Sequence, residues 1–412
     1  MKKQILRIIS ILMLSVMLFT ACSSGSGTQN SPSPSESSTE DNSGTQEENQ
    51  QAQEDAASTG DDNISTAEDM AAEPRFMKVE YTPHFSVEYL EGGAKLIIDA
   101  ENQKFLLVPR GDEVPPGYDD ATVIGLPVER ALFCSTTQVG MIRSFDIWGN
   151  IVGISSTTGS FVTMDQDVAE SGYEIHYIGG SSAPDYELIQ SLSPEIAFVF
   201  TGSSGQQVDL IAKLEELGIP YAVDNEYMEL KHAGRSEWMK FLAAFFDKDE
   251  QAVQYIDDQL KMLEEMQTLI AGQEKPKVAW GLYSNGVMYV PNNGSYVADQ
   301  LRDAGADYIF DYIDGTSSSQ ISVEDFYNTL LDADVWIYSS NRRYVGDYDQ
   351  LIELIPVVAD APVVVNKRVW QFDVDYYYFT DQGAMQVIEL AAIFHPELFP
   401  GFEHENFNAL AE

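Results

Sequence analysis

The chain is poor in sulfur, in imidazole and in positive charge. Its 412 residues hold two cysteines, Cys22 and Cys134, so no intramolecular disulfide and no Cys-based metal site can form in the body. A single thiol of this kind is expected to be buried. Five histidines, at 84, 176, 232, 395 and 404, never fall at the H-x-x-x-H spacing of a local metal pair. Lys and Arg number 23 against 66 Asp and Glu, a net charge of −43. That balance argues against nucleic acid and against an electrostatic hold on an anionic membrane. Nucleophile elbow, P-loop, dinucleotide fingerprint and zinc motif are all missing, so nothing asks for an enzyme or a resident cofactor.

What is there begins with Lys2, Lys3 and Arg7, the apolar run Ile8–Phe19, then Thr20-Ala21-Cys22. Basic, apolar, small: residues 1–21 read as a secretory signal peptide, too short in its apolar part to span a bilayer as a mature helix. A cysteine directly after Leu18-Phe19-Thr20-Ala21 resembles the lipobox of bacterial lipoproteins, although Phe19 replaces the usual aliphatic residue. The resemblance implies a lipidated Cys22, carrying palmitate-type chains and holding the protein to the extracytoplasmic face of the cell membrane. From Ser23 to Pro74 there are twelve acids and no Lys or Arg among Ser, Thr, Gly, Gln and Asn. Such a segment buries too little apolar surface to offset its ordering entropy, and its like charges repel. Residues 22–74 are therefore expected to be a disordered acidic tether.

Removing the tether's twelve acids and the leader's three bases leaves 54 acids against 20 bases. The 76–120 stretch is β-rich, with a hairpin signal at Gly92-Gly93 between Phe85–Leu90 and Ala94–Asp99. A βα alternation follows. Strands are expected at Val128–Cys134, Ile151–Ser155, Ile196–Thr201 and Pro220–Asp224; helices at Gln138–Trp148, Pro184–Leu192 and Val208–Leu217. The same grammar restarts later, with strands at Lys277–Trp280 and Val335–Ser339. Its helices are Tyr296–Ala304, Glu324–Leu331 and Gln382–Phe394. Alternation of this kind predicts parallel sheets with helices on both faces, and ligands outside the carboxyl ends of the strands.

Between the two halves, Val253, Ile256, Leu260, Leu263, Met266 and Ile270 lie three or four apart, one stripe of a helix over residues 248–272. Asp247 stands where an N-cap should, and Gly272 then Pro276 end it. The fold class is thus α/β: two lobes, 75–247 and 273–412, joined by one long spine helix, with a small β-hairpin region on the N-terminal side. A spine without a loop leaves no residue to absorb a large φ/ψ change, so closure is expected to be small.

Several stretches together resemble the class III substrate-binding lipoproteins of ABC importers, which bind ferric siderophores, haem, cobalamin or metal ions. They are ALFCSTTQVGMIRSFDIWGNIVGISS, APDYELIQSLSPEIAFVF, DNEYMELKHAGRSEWMKFLAAFF, and LRDAGADYIF followed by SVEDFYNTLLDADVWIY. The resemblance covers most of residues 128 to 400. It implies a monomeric receptor that takes up a chelated-iron, haem or corrinoid ligand between its lobes and delivers it to a permease with its ATPase. It also implies an acid on top of each lobe that meets permease arginines. Glu324 matches the second-lobe position, while Gln138 stands at the first.

On the first lobe the residues expected at the cleft are Ser135, Thr136, Thr137, Asn225, Glu226, Tyr227 and Arg235. On the second they are Trp280, Tyr283, Tyr289, Asn292, Asn293, Tyr296, Tyr338, Arg342, Arg343 and Tyr344. Hydroxyls and carboxamides at strand ends orient a polar ligand, aromatics give it an apolar wall, and an Arg fork pairs with carboxylate or phosphate. Glu237 or Asp224 could instead pair with Arg235. Of Tyr376, Tyr377 and Tyr378, some should be accessible at the rim, and Trp238 with Trp280 should report ligand. A bare metal ion as ligand would need converging acids and imidazoles, for which His176, His232 and Glu226 are the candidates. An exported enzyme or sensor on the same body is the other alternative.

Cys22→Ser should release the protein from the membrane fraction without unfolding it, because stable anchoring needs two or more acyl chains. Retention of the variant after a high-salt wash would overturn the lipoprotein reading.

Overall fold

A computed structural model describes residues 75–411, apart from 181–182 and 202–204. Cys22, the signal segment and the tether lie outside the described residues, and no described helix is long and apolar enough to cross a membrane. The described residues form three sheets. The first comprises β1 (Arg75–Phe76), β2 (Ser86–Tyr89), β3 (Lys95–Ile98), β4 (Lys104–Pro109) and β5 (Thr122–Leu126), antiparallel except for the β4–β5 pair. Val87, Ile97, Phe105 and Leu107 bury its inner face in the same cluster as Phe133 and Phe198 of the next sheet and Phe245, which follows the helix His232–Ala244.

That second sheet is wholly parallel, in the order β10-β9-β6-β7-β8. Its strands are β6 (Ala131–Phe133), β7 (Ile151–Ile154), β8 (His176–Tyr177), β9 (Ile196–Val199) and β10 (Tyr221–Val223). The central strands are apolar throughout and fully buried, as covering both faces with helices demands. The helices of this lobe are α1 (Thr136–Ile142), α2 (Val162–Ser171), α3 (Tyr186–Leu192), α4 (Gly205–Leu217) and α5 (His232–Ala244). Helix α1 starts two residues before the expected Gln138 and ends six before Trp148. A capping box sets the start: the Ser135 hydroxyl accepts from the Thr137 N–H, and the Gln138 carboxamide oxygen accepts from the Ser135 N–H.

Helix α6 (Asp249–Ile270), about 33 Å at 1.5 Å per residue, joins this lobe to the next. Its buried stripe runs Ala252, Ile256, Gln259, Leu263, Met266, Ile270. Ala252 and Ile256 pack into the first-lobe core, whereas Leu263, Met266 and Ile270 pack into the second. Asp247 does not cap it. The buried Lys95 ammonium holds Asp247 at 2.9 Å and Asp249 at 2.6 Å, and Asp247 takes a left-handed φ of 56°.

The third sheet has parallel neighbours β11 (Lys277–Ser284), β13 (Asp307–Tyr308), β15 (Val335–Asn341) and β16 (Val369–Phe372). It is extended antiparallel by β12 (Val287–Pro291), β14 (Ser318–Ile321) and β17 (Phe407–Ala409). Around it lie α7 (Tyr296–Asp303), α8 (Val323–Leu330), α9 (Tyr348–Leu354), α10 (Pro362–Val365) and α11 (Gly383–Phe394).

A strap from Asp373 to Gln382 leaves β16 and crosses to the first lobe before α11 begins. Tyr378 ends in the first-lobe core, and its hydroxyl donates to Asp167 at 2.6 Å. Thr380 donates to the Thr137 carbonyl, and Asp375 accepts from the Thr163 N–H and hydroxyl. Asp381, fully buried, accepts from Arg143 at 2.8 Å and Ser144 at 2.7 Å. The spine joins in through Gln259, which donates to the Asp381 carbonyl and accepts from the Ala384 N–H.

Two positions test this packing. A Cβ on Gly140 would stand 2.1 Å from the Tyr378 carbonyl oxygen and 2.6 Å from the Thr380 hydroxyl. Backbone cannot retreat cheaply, so Gly140→Ala should destabilise by about 1–3 kcal/mol in urea unfolding; unchanged stability would refute so close a joint. At the end of β10, burial and then the charge of Glu226 push the Asp224 carboxyl well above its ordinary range. A raised acid stabilises the fold in its neutral form below about pH 3.8, and that contribution is lost as pH rises through the folded value. Asp224→Asn should therefore match the parent near pH 4 and exceed it in stability at neutral pH. A pH-independent difference between the two would contradict the shift.

Candidate functional site

The carboxyl ends of the parallel strands put hydroxyls, a carboxamide and an ion pair along the first-lobe side of the gap between the lobes. Ser135, Thr136 and Thr137 follow β6 and are half-buried, with the Ser135 and Thr137 hydroxyls 2.7 Å apart. After β10, Asn225 accepts from the Thr201 N–H at 2.8 Å and donates to its hydroxyl at 2.9 Å, while Tyr227 donates to the Thr201 carbonyl. These bonds hold the turn that presents Tyr227 and the exposed Met228.

Beneath that turn Arg235 donates to Glu226, and both are buried. Burial disfavours the guanidinium charge, but Glu226 and then the Tyr296 side chain outweigh it, so the Arg235 pKa is raised. The guanidinium carbon lies 4.7 Å from the centre of the Tyr296 ring, a cation–π contact from one lobe to the other. Glu237 takes no part. It is bound to Lys240 and accepts the N–H groups of Glu80, Tyr81 and Thr82, tying the N-terminal chain to α5.

Above the pair opens a cleft of about 350 Å³. Tyr227 and Met228 line it from the first lobe, facing Pro291, Ser295, Tyr296 and Val297, with Thr316 to Ser318 at its edge. Tyr377, 46% exposed, lies on the strap close enough to Tyr296, Arg235 and Glu226 to feel their charges, while Tyr376 and Tyr378 are buried.

Four of the expected residues thus converge: Glu226, Tyr227, Arg235 and Tyr296. Others do not. Trp280 is buried 5.5 Å from Phe372 and 6.3 Å from Phe407, and Tyr338 is buried 5.5 Å from Trp336. Both belong to the second-lobe core, and Trp238 likewise to the first, so none can report a ligand by contact. Hairpin register pairs Tyr283 with Met288 and Leu282 with Tyr289, which sends Tyr283 and Tyr289 to opposite faces of the sheet. Asn292 is buried with its carboxamide oxygen unpartnered, and Asn293 donates to Asp314. Arg342 and Arg343 are exposed; Arg343 reaches the Ser160 carbonyl across the lobes at 2.6 Å, and Tyr344 is 77% exposed.

Gln138 is buried, its amide donating to the Val199 carbonyl, so it cannot meet a partner protein. Glu324 is exposed in the first turn of α8. Cys134 is buried, and burial pushes its thiol up to about 12. His176, His232 and Glu226 do not meet. Among the described residues the metal-type grouping is His232, Asp299 and Asp303. Missed from sequence were Met228, Val297 and the joint residues Arg143, Gln259 and Asp381, whereas Tyr377 is the exposed member of the expected Tyr376–Tyr378 run. Gln259 left one signal, a polar residue in an apolar helical stripe.

Residues 133–376 match the periplasmic binding protein family. An uncharacterized lipoprotein of Methanocaldococcus jannaschii is 34% identical over 328 residues, 74% of this chain and 76% of that protein. Another from the same organism is 26% identical, over 78% and 84%. Among solved structures, a periplasmic binding protein of Veillonella parvula superposes with a TM-score of 0.54 at 16% identity, covering 76% of this chain and 99% of that one. CeuE of Helicobacter pylori, in a nickel–histidine complex, gives 0.53 at 18%, over 68% and 87%. The periplasmic haem-binding protein RhuT of Roseiflexus gives 0.52 at 17%, over 66% and 99%. The β1–β5 sheet precedes the family match. With its two α/β lobes, spine helix and interlobe cleft, the chain belongs to the periplasmic binding protein family, the solute-binding components of ABC importers, and is a binder rather than an enzyme.

Proposed function

We propose that this receptor captures a chelated-iron ligand of the siderophore type, or a related haem or corrinoid, and passes it to an ABC permease driven by its ATPase. It works as a monomer held to the extracytoplasmic face of the membrane by lipid on Cys22 and the acidic tether. The observation that carries the reading is the cleft itself. Tyr227 and Tyr296 face it from opposite lobes, Met228, Val297 and Pro291 add apolar wall, and the buried Arg235–Glu226 pair underlies it. Aromatic walls of this kind favour a broad, partly planar ligand, with few polar groups to orient it. CeuE and RhuT, bound to or named for a nickel complex and haem, share the fold and support this class of ligand.

Transport asks for a docking face besides. Glu324 is exposed, its helix start is capped by Ser322, and it is not one of the residues lining the cleft. An exposed acid of this sort acts on encounter rate and salt dependence more than on ligand affinity.

Titration of the purified protein with ferric siderophores, haem and cobalamin, read by ligand absorbance, tests the proposal. One of these should bind, and Tyr227→Ala and Tyr296→Ala should each weaken it about tenfold, roughly 1.4 kcal/mol. Glu324→Ala should leave the Kd within about twofold while uptake in cells falls. Binding of none of the three classes would overturn the ligand assignment, and uptake indifferent to Glu324 would overturn the docking assignment.

A further inference from the structure

On the spine side of the cleft, the first turn of α5 meets α7 across the lobe boundary. His232 Nε2 lies 2.7 Å from Asp303 Oδ2 and 4.0 Å from Asp299 Oδ2. Asp299 and Asp303 are four residues apart on α7, hence on one face, and one donor atom from each of the three groups falls within 4.8 Å of the others. The imidazole and the Asp299 carboxylate are buried, whereas the Asp303 side chain is 35% exposed and leaves a way in. Asp299 is already oriented: its Oδ2 accepts from the His232 backbone N–H at 3.2 Å and its Oδ1 from Lys231 at 2.6 Å.

We propose that His232, Asp299 and Asp303 form a site for a divalent cation of the zinc, nickel or cobalt class, resident at the joint and separate from the transported ligand. One imidazole nitrogen with two carboxylate oxygens suits these ions, while calcium and magnesium prefer oxygen alone. Tetrahedral coordination at about 2.1 Å puts donors about 3.4 Å apart, a value between the 2.7 and 4.0 Å seen here. Small side-chain rotations suffice, and water completes the shell on the exposed side of Asp303. Two carboxylates this close in a buried joint repel one another. Among the described residues the ammonium of Lys231, on a side chain 61% exposed, is paired with Asp299 alone and can swing outward when an ion enters.

Because the imidazole comes from one lobe and both carboxylates from the other, the ion would staple the lobes together. It would do so beside Leu260, Leu263, Glu264 and Gln267 of α6, which line the same recess of about 280 Å³. That recess shares no lining residue with the ligand cleft.

The test uses the full chain stripped with chelator, then titrated calorimetrically with Zn²⁺ and, in parallel, with Co²⁺ read by its visible absorption. One equivalent should bind above the weak background of an acidic surface and raise the melting temperature. His232→Gln and Asp303→Asn should each weaken Zn²⁺ binding at least about tenfold and abolish the tetrahedral Co²⁺ spectrum, a readout that lost packing alone would not produce. Melting of the metal-free variants shows that they fold, and either variant suffices for the test. Tyr296→Ala should bind Zn²⁺ as the parent does. Equal Zn²⁺ binding in parent and His232→Gln, or loss of the ion in Tyr296→Ala, would overturn the site; the second result would move the ion into the cleft.

Discussion

A carboxylate with no exposure to water, Asp381, sits where the two lobes and the spine come together. Burial raises its carboxyl pKa, and Arg143 and then Ser144 offset only part of that rise. Removing one partner from such a pair leaves an uncompensated buried charge, a far larger cost than breaking a surface ion pair. Around it the strap brings Thr380 to α1, Asp375 to α2 and Tyr378 into the first-lobe core. Among the described residues one long helix and one strap cross between the lobes, and Gln259 binds the two to each other.

This joint shapes what the cleft can do. A spine that packs half its stripe into each core cannot bend without opening both. The lobes are pinned again by Arg235 over Tyr296, by Arg343 on Ser160 and by Lys231 and His232 on α7. Those contacts lie at several points of the boundary, so ligand entry has to work through side chains and short loops such as the Tyr227–Met228 turn. The N-terminal sheet adds rigidity of a different kind: Glu237 and Lys240 hold residues 78–82 onto α5, and Lys95 holds the sheet to the start of the spine. It precedes the family match, yet its core is continuous with that of the first lobe.

Much of the site was readable because strand ends are readable. Tyr227, Glu226 and Tyr296 follow strands or open helices, and a doubly covered parallel sheet puts its ligand there. The protein partner expected for Arg235 is Glu237 or Asp224, but Lys240 holds Glu237 and the guanidinium meets Glu226 instead. Trp280 and Tyr338 illustrate the opposite failure. They lie on strands with the same residue types as cleft aromatics, and nothing local distinguishes a side chain aimed at the core from one aimed at the gap. Gln138 likewise occupies a helix start, where only the capping geometry reveals that its amide turns inward.

Sequence by itself determined the acidic body, the βα alternation and the amphipathic spine. All of these depend on composition or on periods of two and 3.6 residues, which are properties of neighbours along the chain. Tertiary structure alone decided which carboxylate faces which cation, that the strap leaves its own lobe for the other, and that His232 meets Asp299 and Asp303. The strap and His232 pairings join residues from 67 to 243 positions apart. Their physical basis is the desolvation of charge in packed joints, and no local pattern records where two distant surfaces will exclude water together.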